Sequence, residues 1–260
     1  MAFSYKTAAL CLVALCGLQQ PAAADTTTYK FTVLNVDDDA YLSVMLARNG
    51  KMPVHISDLT TSEDIVSQLT TQLQDTGAIA SGTCDAMQIK DDLKKMFHVP
   101  FDYDSTSVDY RELLQGALDK GLNIFQKKYP QSDAEWQNIW KQEDGANLSY
   151  LLAANSTQIG CAIGRCTTVN TPADPQPPEQ QPTESPTNHA MLFCQLTPAA
   201  TENQAPFNED YFSALITRKA QLNDMTEEDL KVPSNGTSTA AALPTILIAG
   251  LAAMLATVSL

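Results

Sequence analysis

The chain has 260 residues, 30 of them acidic and 16 basic, for a net charge of −14. So acidic a surface disfavours nucleic acid and anionic headgroups by repulsion, and it suits crowding on a membrane or contact with a basic partner. The length leaves room for one sizeable core and is short for two.

The first stretch reads as a signal peptide. Lys6 gives a small positive start, and Thr7 to Leu18 is an apolar run too short to span a bilayer. Gln19, Gln20 and Pro21 break the run, and Ala22-Ala23-Ala24 offers small side chains for cleavage after Ala24. Residues 1–24 are therefore expected to be removed, and a surface domain is expected over 25–231. The segment 25–234 keeps every acidic residue and loses only Lys6 among the basic ones, so its net charge is −15.

Tyr29 to Val36 alternates Phe31 and Val33 with polar residues and predicts a strand. Asp37-Asp38-Asp39 precedes Leu42, Met45 and Leu46 on one helical face, with Gly50 as a stop. The triplet reads as an N-cap with first-turn charge, since the D-x-D-x-D-G spacing of a calcium loop is missing. Thr61 and Asp64 resemble a capping box before Ile65, Val66, Leu69 and Leu73, a helix running to Gly77. A third helix is predicted from Asp85 to Phe97, with Leu93, Met96 and Phe97 inward and Pro100 as its stop. The longest carries Tyr110, Leu114, Ala117, Leu118 and Phe125 on one stripe and closes before Pro130. Ser132 and Glu135 form a capping box ahead of Trp136, Ile139 and Trp140, and Leu148, Leu151 and Leu152 suggest another short helix.

Two β-rich runs follow, Gln158 to Ile163 and Ala190 to Leu196. Between them, 171–188 holds six prolines among Gln, Glu, Ser and Thr and reads as a mobile loop, because it has little apolar surface to bury. A last helix surrounds Tyr211, Phe212, Leu215 and Ile216, and Met225 to Lys231 forms a short capped turn. The counts give an α+β domain with a small sheet among several helices.

The end of the chain has its own grammar. Ala240 to Leu260 is apolar or small throughout with no Lys or Arg after it, and small polar residues precede it. That is the pattern of GPI attachment, with 232–239 as linker and attachment region and 240–260 as the removed tail. Ser234 is the first choice for the lipid, then Asn235 or Gly236. A single-pass anchor is the alternative, and in both cases the domain faces outward.

Of six cysteines, Cys11 and Cys16 lie in the signal segment, leaving Cys84, Cys161, Cys166 and Cys194. An even number in an oxidising compartment argues for two disulfides, in any of three connectivities. A zinc site is the lesser alternative. No G-x-S-x-G, H-E-x-x-H or P-loop occurs. His55 falls in a loop, His98 at a helix end and His189 beside the proline-rich segment, and each reads as structural or solvated. The sequons at Asn147 and Asn155 are candidate glycosylation sites.

The segment NLSYLLAANSTQIGCAIGRC, from Asn147 to Cys166, and the later run Phe193-Cys194-Gln195-Leu196 resemble the core of the CAP superfamily (cysteine-rich secretory proteins, antigen 5, pathogenesis-related 1). The chain as a whole is similar to the GPI-linked coccidian surface antigens of the Eimeria type. Ala205 to Phe212 and Met225 to Lys231 add to that likeness. The resemblance implies a CAP-like α-β-α sandwich, with pairing Cys161–Cys194 and Cys84–Cys166. From spacing alone, a Cys161–Cys166 loop stays open.

The departures from the family lie in its metal site. Counting back from Ile159-Gly160-Cys161, the family's metal-binding histidine falls on Asn147 and its tryptophan on Ala153. The second family histidine has no counterpart near Asp37 to Tyr41, and Glu143 after Trp140 echoes the family's W-x-x-E without partners. The resemblance therefore implies no CAP zinc centre, no cofactor and no catalysis. It implies a surface antigen that attaches to a host-cell molecule or meets antibodies. A carrier of a small apolar ligand, lipid or sterol, in a CAP-type cleft is the alternative, and a hydrolase comes third.

Overall fold

The computed structural model describes residues 25–75, 77–104, 107–173 and 181–231. Its centre is an antiparallel sheet in the order β1, β6, β7, β5, formed by Thr26–Asn35, Gln158–Thr171, Thr183–Thr197 and Phe97–Asp102. A short β2, Thr60–Thr61, joins β6 in parallel, and β3 (Ile79–Ser81) pairs with β4 (Gln88–Ile89) as a separate ribbon. The helices are α1 Asp38–Asn49, α2 Glu63–Gln74, α3 Tyr110–Phe125, α4 Asp133–Trp140, α5 Glu143–Leu151 and α6 Glu209–Thr217.

Alternation along the two central strands divides the interior. Ile159, Cys161 and Ile163 of β6, with Leu192, Cys194 and Leu196 of β7, join one core with apolar side chains of α1, α3, α4, α5 and α6. Ala162, Met191 and Phe193 point into a second core, with Phe31, Leu69 and Leu73 of α2 and Ile79 and Ile89 of the ribbon. A one-residue change of register would exchange the two sets, so the alternation fixes the pairing. Each fully buried leucine of α2 contributes about 2 kcal/mol.

One disulfide lies in each core. Cys161 and Cys194 face each other across β6 and β7, with Cα atoms 4.1 Å apart, in the first. Cys84 ties the short turn Cys84–Ala86 to Cys166 in the second.

Local signals explain most helix starts. Asp37 caps α1 by accepting from the Asp39 N–H, Asp109 caps α3 through the Glu112 N–H, and Asn208 caps α6 through the Tyr211 N–H. Helix α3 can lie against α5 because residue 121 is glycine; a Cβ there would come within 2.5 Å of the Leu148 Cβ.

Several expectations need correction. The helix expected over Asp85 to Phe97 is absent: the segment is a turn at Cys84–Ala86, the strand β4, a turn at Leu93–Lys95 and the start of β5. Pro100 stands inside an outer strand, where a missing N–H costs no ladder bond. The cap of α2 is Ser62, with no side-chain capping bond, in place of a box at Thr61 and Asp64, and the helix closes at Gln74. The loop expected over 171–188 is shorter, since Thr183 to Asn188 belongs to β7 and Thr183 to Pro186 pairs with β6. These residues find their order in backbone ladders, without apolar burial.

A buried cation joins the parts. Arg48, 1% exposed, donates to the carbonyls of Leu151, Ala153 and Ser57, and the Tyr211 hydroxyl donates to the Arg48 carbonyl. Burial pushes Arg48 down to about 10, so it stays charged at neutral pH.

Candidate functional site

Helix α5 sets three polar side chains along one flank, Glu143, Asn147 and Tyr150, at helical spacing. Beside them lie His98 of β5, Trp140 of α4 and Glu202 from the segment after β7, around a hollow of about 340 Å³. Asn147 and Glu143 are the two positions that the sequence resemblance set against the CAP metal site.

His98 is 5% exposed and not at a helix end, which corrects the expectation for it. Its Nδ1 lies 2.9 Å from the Met96 carbonyl. A carbonyl only accepts, so Nδ1 carries the proton in the neutral ring and Nε2 turns its lone pair toward Glu143 Oε1, 3.5 Å away. In the neutral ring two acceptors face each other there, and in the protonated ring the Nε2–H points at the carboxylate. Among the described residues, no serine, threonine or cysteine lines the hollow for the imidazole to activate.

Asn147 is spent on the fold. Its Oδ1 accepts from the His98 N–H at 2.8 Å, and its Nδ2 donates to the His98 carbonyl at 2.6 Å. The carboxamide therefore completes the open edge of β5 in the manner of a neighbouring strand. His98 and Glu143 are a pair of metal donors in mutual reach, and among the described residues no group of three His, Cys, Asp or Glu is placed to hold a metal ion. The residues present do not fit the family's zinc.

The aromatic wall is fixed too. Trp140 and Tyr150 meet edge to face at 5.1 Å, Trp140 Nε1 donates to the Gln204 carbonyl, and the Tyr150 hydroxyl donates to Glu202 Oε1 at 3.0 Å. Burial, and then the Glu202 contact, raise the Tyr150 phenol well above its ordinary value. Lys95 and Tyr150 also line a second hollow of about 300 Å³, with Leu93, Met96, Phe97 and Leu196 as apolar walls. The buried Gln195 Oε1 there has no hydrogen-bond partner among the described residues.

The other sequence-predicted residues lie apart. Cys84, Cys166, Cys161 and Cys194 are all in disulfides, which removes them as thiol ligands. Asn155 stands exposed in the turn before β6. His55 Nε2 reaches the Met52 carbonyl, and His189 sits between Asp85 and Asp102. Ala24, Ser234, Asn235 and Gly236 lie outside the described residues. Sequence reasoning missed the His98 pair because it placed Phe97 on a helix; the alternating Phe97, Val99 and Phe101 was the signal for a strand.

No family profile matches the chain, and no curated protein matches it. Among solved structures it is similar to the crystal structure of the Eimeria tenella surface antigen protein SAG19, at 15% identity and a TM-score of 0.46. The likeness covers 74% of this chain and 99% of that one. At that distance it fixes neither the fold nor an activity here. No helix among the described residues is long and apolar enough to cross a membrane.

Proposed function

We propose that the chain is a non-enzymatic parasite surface antigen of the coccidian, CAP-like type, held on the outer leaflet of the plasma membrane by a GPI lipid. It attaches to a host-cell molecule or meets antibodies. The observation that carries the reading is a single domain with all four of its cysteines paired, between two apolar segments that read as signal and lipid-attachment sequences. The resemblance of the Asn147 to Cys166 segment supports it.

Treating intact cells that display the protein with phosphatidylinositol-specific phospholipase C tests the anchor. Release in soluble form is expected. Retention, in cells where a known GPI protein is released, would mean that the apolar tail stays in place.

The second reading, a carrier of a small apolar ligand, is favoured by the hollow walled by Leu93, Met96, Phe97 and Leu196. Mass spectrometry of an organic extract of the purified protein tests it, and an extract without a stoichiometric lipid or sterol counts against it.

A further inference from the structure

Helix α3 keeps a glycine that its own packing does not explain. Gly121 is needed for the approach of α5, but a Cβ on Gly116 would meet no atom within 4 Å. Glycine inside a helix costs stability relative to alanine, so an exposed one over open space is a cost without a return inside the fold. The space above it is a groove of about 450 Å³ between α3 and the outer strand β5.

The groove has an apolar floor and an acceptor-rich rim. Phe101, Val108, Leu113 and Ala117, all only partly buried, line it. Asp102, Asp109 and Glu112 stand around it with Lys120; Asp102 also faces the His189 imidazole, and Asp109 accepts from the Glu112 N–H. The strand wall favours the same partner. His98 turns its backbone groups to the outer edge, where Asn147 meets them, and by alternation Pro100 turns its carbonyl the same way with no N–H beside it. Carboxylates and strand carbonyls accept; they suit a partner that donates and carries positive charge.

We propose that this groove is a docking site for an extended segment of a partner protein, with lysine or arginine next to an apolar residue. The apolar side chain would lie over Gly116, and the cation would reach Asp102 and Glu112. The inference does not depend on how the chain is held at a membrane.

The test uses the full chain in nonionic detergent and a labelled hexapeptide of alternating valine and arginine, with the glutamate counterpart as control. Fluorescence anisotropy should show saturable binding of the arginine peptide alone, weakened severalfold between about 0.02 M and about 0.5 M NaCl. Gly116→Phe should weaken binding about tenfold or more by filling the groove, and Glu112→Gln should weaken it less. Gly116→Ala should bind like the natural chain. Melting curves of each variant show that the fold is kept, and the exposure of Gly116 predicts that it is. Absent binding, or binding that ignores Gly116→Phe, overturns the proposal. So does a dimer in sedimentation that Gly116→Phe dissolves, which would make a second copy the occupant.

Discussion

Asn147 shows how one side chain can satisfy a sequence motif and a fold in incompatible ways. It opens a sequon, yet its carboxamide holds both backbone groups of His98, and Ser149, the third residue of that sequon, is fully buried. A glycan on Nδ2 would stand where the strand lies. Asn155, exposed in a turn, has room. Glycopeptide mapping of protein made in a secretory host should therefore find sugar on Asn155 and none on Asn147. Asn147→Ala should cost about 2 kcal/mol in urea unfolding, because it leaves a donor and an acceptor of β5 without partners. A cost near zero would mean that water replaces the amide at that edge. Arg48 is the opposite case, since no motif announces it. It stands in the last turn of α1, where a basic residue looks like an ordinary complement to the helix dipole. Only the fold shows it fully buried and surrounded by three carbonyls from two segments.

Between elements, the two disulfides are not equivalent. Cys84–Cys166 closes 82 residues and Cys161–Cys194 closes 33. In the chain-entropy account these closures stabilise by about 4.5 and about 3.7 kcal/mol, so the paired serine substitution at Cys84 and Cys166 should be the more destabilising. Urea unfolding of the two double variants measures the difference. The reverse order would show that the ladder between β6 and β7 depends on its staple more than loop length allows. The elements themselves were legible where a period repeated without interruption. The α3 stripe, the capped α4 and the two central strands follow from spacing and caps alone. Residues 85–97 were not legible for a physical reason. Leu93, Met96 and Phe97 recur at helical spacing, but they serve a turn and a strand that a distant cysteine and the β7 edge hold in place. Tertiary context overrode local pattern there, and the His98 pair was hidden with it.

At the scale of the molecule, charge is the dominant imbalance. A net charge of −14 makes the compact state repel itself, and ion pairs such as Lys30–Glu184, Arg111–Asp39 and Lys128–Glu135 lie at or near the surface, where they contribute little. Salt screens repulsion and attraction alike, so its net effect reports which one prevails. Repulsion should prevail at pH 7, and the melting temperature should rise as NaCl goes from about 0.01 M to about 0.15 M. Near the isoelectric point of about 4.4 the rise should vanish. Acid works against the fold by a different route. The Lys90 side-chain hydrogen bond lowers the Asp75 pKa, and the Gln131 N–H, followed by Lys128, lowers that of Glu135. A carboxylate with a lowered folded pKa contributes stability above its unfolded pKa and loses it as pH falls through the folded one. Stability at low salt should therefore pass through a maximum on the mildly acidic side of neutrality and decline below the ordinary carboxylate range. Glu135→Gln should make that decline shallower. Thermal melts across pH and salt decide the matter: a melting temperature that falls with added salt at pH 7 would show the surface pairs outweighing the self-repulsion of the whole chain.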